Sequence, residues 1–175
     1  MNLMAGEIDL DELDLRLLHE LQQDCRTPLH ELAKKVGHPT STVHYRIKRL
    51  ERAGIIEGYY AKLNSEKIGM DYITVIRIDA RYGPEYYATI GKQLAEIDGV
   101  WAVYYSLGEQ DFFALTRSKD RAEFMGTLSA IMNVDGVQRT KTQVVAEVIK
   151  EDPRIDVCTK IRRRARKRKP AGDRD

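Results

Sequence analysis

The sequence predicts an α+β chain: an N-terminal winged-type helix-turn-helix, a ferredoxin-like β-α-β-β-α-β domain, and a basic C-terminal tail. Three observations carry this prediction. Apolar residues recur at helical spacing in three runs before Gly54 and at strand spacing soon after it. From Tyr72 onward, strand-like and helix-like runs succeed one another in the order of the split βαβ unit. Eight of the ten residues 160–169 are Lys or Arg.

The first helix is expected over Asp11–Asp24. Leu10, Leu13, Leu17, Leu18 and Leu21 share one face, and Asp11 suits the N-cap. The second runs from Pro28, in the first helical position, to Val36, with Gly37 as its stop. The third runs from about Pro39 to Ala53, with Val43, Ile47 and Leu50 inward and Gly54 beyond its end. Ile55–Leu63 is extended in character and reads as a strand or short hairpin. Tyr72–Ala80 is a strand. Pro84–Ile97 is helical, with Tyr87, Ile90, Leu94 and Ile97 on one face. Val100–Leu107 and Phe112–Thr116 are strands around a turn at Gly108–Asp111. Asp120–Met132 is helical through Phe124, Leu128 and Ile131, and Val137–Lys150 is a long last strand. The domains are therefore 8–63, a helix-turn-helix with a linking strand; 64–152, the ferredoxin-like unit; and 159–175, a charged tail expected to be disordered.

The chain has 175 residues, 42% hydrophobic and 32% charged, an ordinary soluble composition. No apolar stretch approaches the roughly 20 residues of a membrane span, and acidic Met1–Asp14 lacks a signal-peptide layout. Cys25 and Cys158 belong to no CxxC and read as reduced thiols of a cytoplasmic protein. The net charge of +2 hides an asymmetry. Residues 160–175 hold nine of the 29 basic and two of the 27 acidic residues, so this segment carries +7 and the rest −5. Placement of charge, rather than its total, points to nucleic acid.

The third helix carries the chemistry. With Ile47 taken as the buried direction, Ser41, Thr42, Tyr45, Arg49 and Arg52 point outward at about 100° per residue, and Arg46, Lys48 and His44 flank them. Small polar groups near a recognition helix's N-terminus reach base edges, and cations along its sides meet phosphates. Ser41, Thr42 and Tyr45 suit the first role; Arg46, Lys48, Arg49 and Arg52 suit the second. The bland alternative is an amphipathic helix with a solvated basic face, against which the three-helix context argues. For His44 a structural or solvent role is the equal alternative.

These residues together resemble the Lrp/AsnC (feast/famine) family of transcriptional regulators. Leu10–Asp14 with Leu17-Leu18 looks like its first helix, and Arg26–Ala33 like its second. Val43 with Arg46–Arg52, Gly54 and Ile55-Ile56 looks like its recognition helix and exit. Gly58-Tyr59, Ala61, Leu63-Asn64 and Gly69 resemble the linking strand, Gly108–Asp111 the Gly-x-x-Asp turn, and Val144–Lys150 the last strand. The resemblance covers roughly residues 8–152, and its specificity lies in the order of the motifs. Pro39 departs from it, standing where a capping Ser is common, and so does the basic tail.

The resemblance implies a homodimer, often assembled into octamers, that binds double-stranded DNA. It also implies an amino-acid effector near the Gly-x-x-Asp turn, with Gly108, Gln110, Asp111, Thr140 and Thr142 as candidate binding residues. An ordinary hairpin turn explains Gly108 and Asp111 equally well, and Thr is common in strands without any ligand. Dimerisation is also expected from apolar strand faces that two helices cannot fully cover. Tyr59, Tyr60, Ile76, Ile78, Val103 and Tyr105 are candidates for that surface. Two rival functions share the pattern: a tetrapyrrole-decarboxylase-like enzyme of the same architecture, and a chromatin-type protein binding DNA without sequence preference. The enzyme is disfavoured because all four histidines, His19, His30, His38 and His44, are N-terminal. There is no zinc-ligand spacing, phosphate-binding Gly-rich loop or nucleophile elbow, so no catalytic residue, metal or cofactor is expected.

Overall fold

The computed structural model describes residues 9–81, 83 and 85–157, arranged as two compact units. The described residues up to Ala61 group with those from Asp152 on, and Lys62–Glu151 form the second unit. The tail, Cys158, and Pro84 as a helix start lie outside the described residues.

In the first unit, α1 spans Glu12–Gln23, α2 Leu29–Val36 and α3 Thr40–Arg52. Asp11 caps α1 reciprocally. Its carboxylate accepts the Asp14 N–H at 2.9 Å, and the Asp14 carboxylate accepts the Asp11 N–H at 3.1 Å. Two of the four orphan N–H groups of the helix start are thereby satisfied. Pro28 and Pro39 stand one residue earlier than expected, as N-caps of α2 and α3 rather than first helical residues, with ψ of 142° and 145°. Neither supplies a side-chain cap, but their carbonyls accept the N–H groups of Leu32 and Val43 at 3.0 Å. Gly37 ends α2 at φ +73°, a left-handed conformation that costs glycine little. The core is Leu13, Leu17, Leu32, Ala33, Val36 and Val43, one stripe from each helix. The linking segment 55–63 forms no strand: an extended chain needs a ladder partner to become one, and none pairs with it among the described residues.

In the second unit, β1 (Tyr72–Ala80), α4 (Tyr86–Ala95), β2 (Val100–Tyr105), β3 (Phe112–Ser118), α5 (Arg121–Met132) and β4 (Val137–Val144) appear in the expected order. Their strands form one antiparallel sheet ordered β2-β3-β1-β4. The last strand is shorter than expected. Beyond Val144 a single further bond, from Val145 N–H to the Ile73 carbonyl, continues the pairing. Asp120 caps α5 through the Glu123 N–H. Both helices pack on one sheet face, where Ile90 and Leu94 of α4 and Phe124 and Ile131 of α5 meet Ile76, Ile78, Phe112 and Ala114. Tyr87, expected inward with Ile90, is half exposed and stacks on Tyr105 instead.

Residues paired across a ladder share a face. Thr142 lies beside Ile76 and Thr140 beside Ile78, so both threonines sit on the helix side. Val103 pairs with Ala114, and Tyr105 with Phe112, also on that side. Ile76 and Ile78, fully buried under the helices, therefore cannot form the expected pairing surface, and Val103 and Tyr105 lie on the same side of the sheet. The period-2 alternation puts Val75, Arg77 and Asp79 of β1, Phe113, Leu115 and Arg117 of β3, and Tyr104 of β2 on the opposite face. All but Tyr104 are only partly buried.

Candidate nucleic-acid interface

Val43 and Leu50, both fully buried, set the inward direction of α3, whereas Ile47 is only partly covered. Four residues on from Val43, Ile47 lies to one side of that direction by about 40–50°. On the corrected axis Ser41, Tyr45, Lys48 and Arg52 point outward, about 150° or more from the core. With Thr40, His44 and Leu29 they line an open groove of about 490 Å³. Tyr45 is 63% exposed in it. Small hydroxyls stand toward the N-terminus of the stripe and cations toward its C-terminus. Thr42 falls on the flank, outside the groove lining.

The same rotation carries Arg46 and Arg49 toward α1. Arg46 donates to Asp11 at 2.6 Å and to Asp14 at 3.2 Å, and Arg49 donates to Asp14 at 2.5 Å. Their side chains are 24% and 31% exposed, and that of Asp14 is fully buried. Arg49, expected to point away from the core, instead turns its guanidinium, like that of Arg46, toward a buried carboxylate. A buried charge must be paired, because its desolvation otherwise outweighs what packing returns. Burial pushes the Asp11 carboxyl up, but the Asp14 N–H and the Arg46 guanidinium outweigh it and hold the pKa below the usual value.

Lys48 is tied more loosely, to Glu51 at 2.7 Å on the exposed surface. Such pairs hold little energy and open readily to a phosphate. Glu51 also accepts from the Tyr59 hydroxyl at 3.1 Å; burial and this bond raise the Tyr59 pKa to about 12. Arg52 is exposed and makes no ion pair among the described residues.

In the second unit, the Gly108–Asp111 turn closes through Ser106 N–H to the Asp111 carbonyl at 2.8 Å. The Asp111 carboxylate is buried and doubly engaged, accepting the Ala80 N–H at 2.7 Å and the Tyr86 hydroxyl at 3.1 Å. The Tyr105 hydroxyl, burial and Asp111 together push the Tyr86 pKa well above its ordinary value, since ionisation would forfeit these bonds. Thr140 and Thr142 are on β4, which flanks β1 on the side opposite β3. Two strand spacings, roughly 10 Å, therefore separate them from the turn. Within one chain the structure gathers Asp111, Tyr86, Tyr105 and Ala80, not the five candidate effector residues. We expect Asp111→Ala to lower the second unit's stability by about 1–3 kcal/mol, the cost of an unsatisfied buried N–H. Urea unfolding with near-ultraviolet dichroism of the tyrosine cluster measures it, and an unchanged midpoint would show that the carboxylate is dispensable to the fold.

Two family models match the chain: the AsnC-type helix-turn-helix domain over residues 10–51 and the Lrp/AsnC ligand binding domain over residues 73–155. The transcriptional regulator LrpA of Pyrococcus horikoshii is 34% identical over 142 residues, spanning 81% of this chain and 99% of that one. The chain belongs to the Lrp/AsnC family. Its fold agrees with solved members. A transcriptional regulator of Neisseria meningitidis in complex with L-methionine superposes with a TM-score of 0.75 at 26% identity, over 83% of this chain and 96% of the other. A feast or famine regulatory protein of M. tuberculosis complexed with L-methionine gives 0.74 at 29%, over 82% and 97%.

Membership in the Lrp/AsnC family makes the protein a DNA-binding transcriptional regulator and not an enzyme. No helix among the described residues is long and apolar enough to cross a membrane. Sequence reasoning missed the roles of Asp14, Tyr86 and Tyr105. Asp14 had a signal: it is the lone carboxylate on the face lined by Leu10, Leu13, Leu17 and Leu18, where a charge without a partner would be costly. Tyr86 and Tyr105 had none, because tyrosines at that spacing read equally as surface or core.

Proposed function

We propose that this Lrp/AsnC protein is a cytoplasmic, homodimeric, sequence-specific regulator that reads the major groove with the Ser41–Arg52 stripe and responds to an amino acid near the Gly108–Asp111 turn. The observation that carries the reading is the polarity of that stripe, with hydroxyls at the N-terminal end and exposed cations at the C-terminal end, over an open groove. Base edges select and phosphates position, so the two ends do different work.

The open sheet face supports the dimer. The Arg77 Nε and Asp79 Oδ1 atoms on it are buried without a hydrogen-bond partner among the described residues. A second copy apposed there would present the same Arg77 and Asp79, one group of each sign, to these atoms. The effector assignment draws on the two similar proteins whose structures carry L-methionine. A double engagement of Asp111 within its own chain leaves the turn backbone and a neighbouring copy as the sources of further ligand contacts.

Genome-wide footprinting with and without amino acids, methionine first, tests the reading. Protection of discrete two-fold sites, altered by at least one amino acid, is expected. Uniform protection of bulk DNA would remove sequence specificity, and footprints indifferent to all twenty amino acids would remove the effector.

A further inference from the structure

We infer that Tyr45 is the residue by which the stripe selects sequence, and that what it selects is the 5-methyl group of thymine. The inference rests on the proposed DNA reading and deepens it by naming the base chemistry that the groove fits. Each base offers a different partner in the major groove. Guanine takes two bonds from Arg or Lys, adenine two from Asn or Gln, and the cytosine amino group donates to Asp or Glu. Thymine alone adds a methyl group, which an apolar surface meets. The groove over α3 is lined by no Asn, Gln, Asp or Glu. Thr40, Ser41 and His44 offer single hydrogen bonds, and a hydroxyl donates or accepts as the base requires. Such groups add affinity with little choice of base. The apolar surface of the groove comes from Tyr45 on α3 and Leu29 on α2.

Tyr45 is free for this role and placed for it. Its ring is 63% exposed and makes no hydrogen bond or ring contact among the described residues. Leu29 is partly buried and packed against the three-helix core, so it gives the groove a fixed apolar wall. Recognition helices meet base edges with their N-terminal residues, and Tyr45 lies in the N-terminal half of Thr40–Arg52. Ser41, Tyr45, Lys48 and Arg52 follow at spacings of four, three and four residues, which makes one row along the helix. At a rise of about 1.5 Å per residue, Arg52 stands about 10 Å beyond Tyr45. The major groove is about 12 Å wide. With Arg52 against a phosphate rim, the Tyr45 ring lies over base edges and its apolar face meets a methyl group there. The exposed cations supply the charge complementarity that seats the duplex, and Tyr45 supplies the choice of base.

The test begins with the duplex that the full chain selects best from a random pool. Its thymines are then replaced one at a time by deoxyuridine, which keeps the hydrogen-bonding edge of thymine and lacks only the methyl group. Fluorescence anisotropy measures each affinity. One position in each half-site is expected to lose about fourfold, the effect of one buried methyl group, and replacement in both half-sites about fifteenfold. Tyr45→Ala should bind the thymine and deoxyuridine duplexes alike. Tyr45 is exposed, so the helix should persist in that variant. Tyr45→Phe keeps the ring and should keep the discrimination; its loss there would assign the reading to the hydroxyl and overturn the inference. A selected site indifferent to deoxyuridine at every position overturns it too. So does discrimination that survives in Tyr45→Ala, because another group then meets the methyl. If no sequence is enriched from the pool, the sequence-specific reading itself fails, and the inference falls with it, a result distinguishable from the others.

Discussion

Asp14→Ala is expected to unfold the N-terminal unit under conditions where the parent chain is folded. The substitution strips Arg46 and Arg49 of a fully buried partner and removes half of the reciprocal cap at the start of α1. Breaking a buried ion pair from one side costs about 3–5 kcal/mol. Both guanidiniums are partly open to water, so the lower end applies, about 3 kcal/mol after discounting for solvent screening. A unit of this size is stabilised by only about 3–9 kcal/mol. Amide hydrogen exchange in α1 and α3 reads the loss locally while leaving the sheet unit as an internal control. Exchange rates in α3 equal to those of the parent would mean that the Asp14 network contributes nothing. Arg46→Ala and Arg49→Ala should register first as faster exchange and only secondarily as weaker DNA binding.

Lys48→Ala with Arg52→Ala is expected to do the opposite: cripple DNA binding while leaving the fold intact. Both residues are exposed, and the Lys48–Glu51 pair is a surface one, so stability should move by less than about 0.5 kcal/mol. Each chain loses two phosphate partners. With four contacts removed per dimer, the salt slope falls by about 3.6, and at 0.1 M salt the affinity falls by about three to four orders of magnitude. Fluorescence anisotropy across a salt series measures both. An unchanged slope would mean that the groove between Leu29 and α3 does not face DNA. The two predictions together separate cations that hold the recognition helix from cations that use it, a distinction that basic composition alone conceals.

Much of the architecture is legible in the residues themselves. The three helices, the order of the six elements after them, the caps Asp11 and Asp120 and the stop at Gly37 all come from local rules, since spacing and terminal residues act within a turn or two of chain. The discrepancies share one cause. Residue preference predicts a strand over Ile55–Leu63 and a last strand reaching Lys150, yet a strand exists only where another strand lies beside it. The pairing face is misassigned from sequence because the apolar side of β1, Ile76, Ile78 and Ala80, is the one that the helices cover, while Arg77 and Asp79 lie on the other.

The sequence by itself determined that three helices precede a split βαβ sheet, that α3 carries the cations and that a run of positive charge lies near the C-terminus. It determined these because helical period, turn chemistry and charge runs are written in neighbouring residues. Only the tertiary structure decided which cations of α3 face outward. The roll of that helix is set by how Val43 and Leu50 seat against other elements, and a rotation of some 40–50° moves Arg46 and Arg49 from solvent to Asp14. Only the tertiary structure, too, brought Ile155 to Gln22 across a sequence separation of 133 residues. Packing between distant segments is chosen by shape and by the need to pair buried charge, and neither quantity is carried by spacing along the chain.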